Sequence, residues 1–279
     1  MSRTITKQKI KEFQCFLYEN EKAKTTIQKY IRVLEQFNGY LKGREMTKDL
    51  LLAYRDQLRE RQKAQTVNVK LSAINAYLAF CGMEEYKIKF LRHQRKAFVE
   101  DNRELSKEEY RRLLKAAKNK RNERLYHLML TICSTGIRIG ELKYITVDAV
   151  KKKKAEITLK GKERTVLITK ELQKCLFKYI REKDIESGCV FCTKSGAPLD
   201  RSNICHDMKK LCKEANVHPN KVFPHNLRHL FARTFYAVEK NLSHLADILG
   251  HSSIETTRIY VAASARVHER TLKKMQLVT

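Results

Sequence analysis

Pro224-His225-Asn226-Leu227-Arg228-His229 places an imidazole three residues before a guanidinium, so one helix face would carry both. Such a pair suits phosphoryl transfer: the arginine clamps nonbridging oxygens while the histidine moves a proton near neutral pH. Leu227, Leu230 and Phe231 would bury the other side, and His229 is read onto a different face as a packing or hydrogen-bonding residue. Upstream, Ser134-Thr135-Gly136-Ile137-Arg138-Ile139-Gly140-Glu141-Leu142 ends an apolar helix at Gly136 and opens another with Arg138 in its first turn. Backbone N–H groups point outward at such a turn, a favourable place for a phosphate. Taken alone, Arg138 would pass for a surface arginine. Downstream, in Leu249-Gly250-His251-Ser252-Ser253-Ile254-Glu255-Thr256-Thr257-Arg258-Ile259-Tyr260, Gly250 breaks one helix and Ser252 or Ser253 caps the next. His251 sits in the break, and Tyr260 lies about two turns down the new helix. By itself Tyr260 reads as a half-buried core tyrosine. Its chemistry emerges beside the other two clusters.

The elements that must hold these clusters are mostly helical, since nine Gly and three Pro interrupt 279 residues. Residues 5–82 read as four helices. The first carries Ile10, Phe13, Phe16 and Leu17, and the chain breaks between Asn20 and Lys24. Thr25 or Thr26 opens the second, with Ile27, Tyr30, Ile31, Leu34, Phe37 and Leu41 along one stripe up to Gly43. Thr47 caps a short third, and the fourth runs from Thr66 to Phe80, stopped by Gly82. The spacing predicts an all-helical basic domain over 1–84, a charged linker over 85–102, and a second domain over 103–279 opened by a Ser106/Glu109 capping box. Helices follow at 107–118 and 122–134. A β-hairpin is expected around Lys160-Gly161-Lys162-Glu163, with strands 155–159 and 164–168 and Gly161 in its turn. Further helices are expected at 170–184, 201–215, 225–239, 241–249, 253–261 and 264–275.

Charge narrows the partner. Lys and Arg number 58 against 31 Asp and Glu, a net charge of +27. A folded chain with that excess repels itself unless a polyanion neutralises it, so nucleic acid is the natural partner, with a merely lysine-rich protein the bland alternative. Residues 1–97 hold 21 basic and 10 acidic side chains, and the remainder 37 and 21, so both halves are basic, which fits a grip on a duplex from two sides. No apolar run approaches the roughly 20 residues of a membrane span, and the polar start lacks a signal-peptide hydrophobic stretch. A cytoplasmic protein is expected. The eight Cys are read as reduced, buried small hydrophobes. Cys189-Val190-Phe191-Cys192, with Cys205, His206 and Cys212 downstream, leaves zinc conceivable, though alternation in a strand favours core packing. Lys151–Lys154 reads as a solvated turn that could touch phosphates.

Together the three clusters resemble the Arg, His-x-x-Arg and His…Tyr boxes of the tyrosine recombinase (phage integrase) family, in the right order and spacing. Thr66-Val67-Asn68-Val69-Lys70-Leu71-Ser72-Ala73-Ile74-Asn75 resembles that family's SAM-like core-binding domain, so the likeness spans nearly the whole chain. It implies a mainly α fold with a small β-sheet: an N-terminal SAM-like four-helix core-binding domain and a C-terminal α+β catalytic domain. It further implies a site-specific recombinase that cuts and rejoins double-stranded DNA through a 3′-phosphotyrosine at Tyr260. Arg138 and Arg228 would hold the nonbridging oxygens, His225 would accept the phenol proton and His251 would hydrogen-bond the phosphate. The family's remaining catalytic residue is a hairpin lysine within Gly-Lys-Gly-x-Lys-x-Arg. Here Leu159-Lys160-Gly161-Lys162-Glu163-Arg164 is one residue shorter, so Lys160 is taken first and Lys162 second.

No cofactor or metal is expected, because the covalent bond stores the phosphodiester energy. The resemblance also implies a homotetramer on paired DNA sites, with a monomer in solution left open. The tail with Val267, Leu272, Met275 and Leu277 would dock on a neighbouring protomer, or else on its own domain. The start near the first core-binding helix implies a simpler Xer-like or transposon-type recombinase, without an arm-binding domain. A type IB topoisomerase-like enzyme and a noncatalytic DNA-binding relative remain as alternatives. The SAM-like domain weighs against the first, and the intact Arg138, His225, Arg228 and Tyr260 against the second.

Overall fold

The computed structural model describes residues 3–92, 103–159, 162–193, 195–261 and Lys273. The chain divides into two compact units, Met1–Arg95 and Lys96–Thr279, each with its own core. Among the described residues it is mainly helical with one two-stranded sheet.

The first unit packs α1 (Lys7–Glu19), α2 (Lys24–Leu41), α3 (Lys48–Arg61) and α4 (Ala64–Phe80). Their apolar stripes meet at Phe13, Leu34, Phe37, Leu51, Leu71 and Tyr77, all buried. Thr6 and Thr47 cap α1 and α3 through their hydroxyls, each satisfying an otherwise orphaned N–H. The second helix begins at Lys24 and the fourth at Ala64, slightly ahead of the threonines expected to open them.

The stretch read as linker begins as part of this unit. Glu84–Tyr86 forms a 3-10 turn, and Ile88 is buried in the first core. Asn75 accepts from the Ile88 N–H and donates to its C=O, both at 2.9 Å. Asn68 does the same for Leu91, at 2.8 and 2.9 Å. The two amides stand two turns apart on one face of α4 and act as a sheet edge for the extended chain. Backbone pairing fixes this segment, which is why its apolar pattern gives no sign of order. Residues 93–102 lie outside those described.

The second unit opens with α5 (Lys107–Asn119), whose Ser106/Glu109 capping box is present. Next come α6 (Glu123–Thr135), a 3-10 turn (Ile139–Tyr144) and α7 (Val147–Lys152). Antiparallel β1 (Lys154–Leu159) and β2 (Lys162–Leu167) pair from Lys154↔Leu167 to Leu159↔Lys162, burying Ala155, Ile157 and Val166. Then follow α8 (Lys170–Glu182), α9 (Arg201–Lys209), α10 (Cys212–Ala215), α11 (Pro224–Glu239), α12 (Leu242–Leu249) and α13 (Ile254–Val261). The main core lies among Leu113, Leu128, Ile132, Leu176 and Leu227, while a smaller one under α11–α13 holds Ala232, Leu245, Leu249 and Tyr260.

Several expectations are corrected. The helix expected to begin at Arg138 is a 3-10 turn that Arg138 caps. Lys151–Lys154 is not a loose turn: Lys151 and Lys152 end α7, Lys153 is its left-handed cap (φ +58), and Lys154 starts β1. Basic residues suit a helix C-terminus, where the dipole is negative. The expected helix 201–215 is two, broken at Lys210 and Leu211. The cysteines are all free thiols, but Cys212 alone is buried, and Cys15 and Cys175 are exposed. The expected helix 264–275, Lys273 aside, lies outside the described residues.

Candidate active site

Two glycines shape the ground under the site. Gly136 ends α6 at φ +64, and a Cβ there would lie 2.5 Å from the Phe231 ring of α11. Gly250 ends α12 at φ +61, and a Cβ there would lie 2.3 Å from Cδ of Arg164. Both positions demand the left-handed region and leave no room for a side chain.

A helix C-terminus leaves carbonyls without intrahelical donors. At the end of α12 three consecutive carbonyls are each met by a different arginine. Arg164 Nη1 donates to Ile248 O (2.6 Å), Arg228 Nη2 to Leu249 O (2.8 Å) and Arg138 Nη2 to Gly250 O (3.1 Å). Arg228 also donates through Nη1 to Gly136 O (2.5 Å), tying the ends of α6 and α12 together. Its side chain is 1% exposed, and its Nε has no hydrogen-bond partner. Burial, and then the charge of Arg138, lower its pKa to about 10, so it remains a cation at neutral pH.

Glu141 is 2% exposed and is shared between two of these arginines. Oε1 accepts from Arg138 Nη1 (2.9 Å), and Oε2 accepts from the Arg138 backbone N–H (2.8 Å) and from Arg164 Nη2. Burial pushes its carboxyl up, but the Arg138 N–H and the Arg164 guanidinium outweigh that and hold it below the usual carboxylate range. Three guanidiniums against one carboxylate leave the cluster with an excess of two positive charges. That excess is suited to an anion with two charged oxygens in reach.

The aromatic residues of the site adjoin this cluster, with His251 bonded to Arg228 and its ring centroid 5.2 Å from that of Tyr260. The Tyr260 hydroxyl is 3.4 Å from His225 Nε2, and its ring stacks on His229 at a centroid separation of 4.1 Å. His225 meets His229 edge-on at 4.7 Å. His251 Nε2 is 2.8 Å from Arg228 Nη2, and its Nδ1 is 2.8 Å from Thr257 Oγ1. A guanidinium can only donate, so Nε2 accepts, the ring proton sits on Nδ1, and Nδ1 donates to the threonine. Burial, then Arg228 and Arg138, hold His251 at a pKa of about 4. Burial, then His225, hold His229 at about 4. Burial, then Arg228, also lower His225.

The structure thus brings together Arg138, His225, Arg228, His251 and Tyr260. Lys160 lies outside the described residues, and Lys162 is described as a backbone position of β2. His229 is a correction: four residues after His225 it shares that residue's face, and it flanks Tyr260. Sequence reasoning missed Glu141 and Arg164 as well. Glu141 stands three residues after Arg138, a spacing that invites an ion pair. Arg164 alternates with the buried Val166 and Ile168, and a charge on the inward side of a strand needs a partner. Cys189 and Cys192 sit in isolated bridges to Thr146 and Pro198. Among the described residues no group of three or more His, Cys, Asp or Glu is placed to hold a metal ion.

Comparison with known proteins agrees with this architecture. The phage integrase family pattern matches residues 103–266, and the phage integrase N-terminal SAM-like domain matches residues 10–85. The chain belongs to the phage integrase family. Tyrosine recombinase XerA of Pyrococcus furiosus is 26% identical, with 99% of this chain and 96% of that protein covered. The crystal structure of XerH site-specific recombinase bound to difH substrate, a pre-cleavage complex, superposes with a TM-score of 0.68 at 19% identity, covering 90% of this chain and 80% of that one. A lambda integrase tetramer bound to a Holliday junction gives a TM-score of 0.71 at 16% identity, covering 91% and 76%. These two likenesses establish the fold. The chain is therefore an enzyme of the tyrosine recombinase type, and neither a topoisomerase nor a noncatalytic relative is the favoured reading.

Proposed function

We propose that this chain binds double-stranded DNA, cleaves one strand through Tyr260 and rejoins it to a new partner. The observation that carries the reading is the Tyr260 hydroxyl held against a neutral His225, beside a three-arginine cluster with excess positive charge. A phenol ordinarily keeps its proton to about pH 10, so attack on phosphorus needs a base. His225 Nε2 accepts that proton as the tyrosine O–P bond forms. Arg138 and Arg228 stabilise the two nonbridging oxygens as charge builds on them. The bond from phosphorus to the 5′ oxygen then breaks, and that oxygen takes a proton from the hairpin lysine, Lys160 first and Lys162 second. His251, whose two ring nitrogens are taken up by Arg228 and Thr257, positions Arg228. The phosphotyrosine keeps the energy of the broken bond, so reversal by a new 5′ hydroxyl needs no separate energy source.

The XerH and lambda integrase complexes support DNA as the substrate, and the lambda tetramer on a junction supports assembly as a homotetramer on paired sites. Among the described residues no helix is long and apolar enough to cross a membrane, which is compatible with action on DNA in the cytoplasm. Tyr260→Phe tests the assignment. It should abolish covalent adduct formation on a nicked suicide duplex while leaving DNA affinity nearly unchanged. An adduct that still forms would remove Tyr260 from the role.

A further inference from the structure

Arg164 is a charged residue of the centre that takes no step in the proposed reaction. It stands in β2, yet both of its hydrogen-bonded acceptors lie on other elements: Ile248 O at the end of α12 and Glu141 Oε2 in the 3-10 turn. Its methylenes pass beneath Gly250, where even a Cβ would collide with them. The side chain is 11% exposed, so water competes little for these bonds. A planar guanidinium aims two donors at fixed angles, and a lysine ammonium on a flexible stem cannot span two such acceptors in the same way.

We propose that Arg164 is a positioning residue that fixes the hairpin relative to the phosphate site, and with it the lysine that protonates the leaving 5′ oxygen. This rests on the reading of a hairpin lysine as the acid. The geometry separates two consequences of losing Arg164. Glu141 Oε1 and Gly250 O still hold Arg138, so the phosphate-binding side keeps its anchors. The hairpin loses its tether to Glu141 and α12. The defect therefore falls on proton delivery rather than on DNA binding or phosphate contact.

The test is single-turnover adduct formation by Arg164→Lys and Arg164→Ala on two duplexes, one with the normal 5′ oxygen and one with a 5′-bridging sulfur. Sulfur leaves without a proton. A misplacement of about 1 Å costs roughly 100-fold in rate, so the oxygen substrate should slow by about that factor and the sulfur substrate by less than about tenfold. DNA affinity should be unchanged for Arg164→Lys, which keeps the charge of the cluster. It should fall by less than about tenfold for Arg164→Ala, which removes one of the cluster's three positive charges. Equal losses on the two substrates would overturn the proposal. If Arg164→Ala loses its folded circular-dichroism signal, Arg164→Lys, which keeps the charge and stem, carries the same comparison. Lys160→Ala and Lys162→Ala run alongside. If neither shows the sulfur preference, the acid reading fails and takes this proposal with it. If one does and the arginine variants do not, the proposal alone fails.

Discussion

Three imidazoles meet at Tyr260, and each is held toward its neutral form by burial and by the arginines or histidine beside it. The arrangement keeps a base available to the phenol at neutral pH, where an imidazole in water would be partly protonated. It also has a cost in acid. An unfolded histidine titrates near about pH 6.5, whereas His229 and His251 titrate at about 4 in the fold. As pH falls the unfolded chain takes up these protons first, so the stability present above about pH 6.5 is lost on the way down to about pH 4. His229→Phe keeps a ring against Tyr260 and removes one of the titrating groups. Its thermal midpoint should therefore fall less steeply than that of the native chain between those pH values, as differential scanning fluorimetry would show. Parallel curves would mean that His229 does not carry the linkage. The residue types at the site were legible in the sequence, because His-x-x-Arg and the distant Tyr260 keep their spacing in any fold. The supporting shell was less so. His229 was given the wrong face, and Glu141 and Arg164 acquire their meaning through a contact that spans 23 residues of chain.

The elements converge because two helix ends, α6 and α12, are cut short by glycine and tied by arginine. Helix C-termini attract cations, and a buried guanidinium that satisfies two carbonyls from different helices acts as a rivet between them. The argument predicts a contrast between glycines of the same unit. Gly136→Ala meets both the left-handed backbone and the Phe231 ring, so it should lose roughly 2–5 kcal/mol of unfolding free energy. Gly188 has a positive φ but nothing within 4 Å of an added Cβ, so Gly188→Ala should lose about 1–2 kcal/mol. Chemical denaturation of both variants would measure the difference, and equal losses would show that Phe231 yields freely. Most helices were readable from their apolar period, since α2, α5 and α8 each bury one clean stripe. What escaped was short or held by polar bonds. Six residues of α7 carry too little period to register, and the chain at Ile88 and Leu91 is ordered by Asn75 and Asn68. No hydrophobic pattern encodes an asparagine amide standing in for a β-strand.

At the scale of the whole molecule, the excess of 58 basic over 31 acidic residues is spread over both units rather than gathered in a tail. Each unit has its own core, so each can present a rigid basic surface to phosphates. Every phosphate neutralised by a lysine or arginine releases condensed counterions, and the logarithm of affinity then falls linearly with the logarithm of salt at about −0.9 per phosphate. A grip by both units on roughly six to ten phosphates predicts a slope between about −5 and −9, and a loss of about 10³–10⁵ in affinity from about 50 to 200 mM salt. Tyr260→Phe is the protein to use, since its binding equilibrium is not pulled forward by covalent capture. Fluorescence anisotropy with a short duplex gives the slope directly. A shallow slope of about −2 would correspond to contact through a few phosphates alone. It would place most of the +27 charge away from the DNA and contradict a grip shared by the two units.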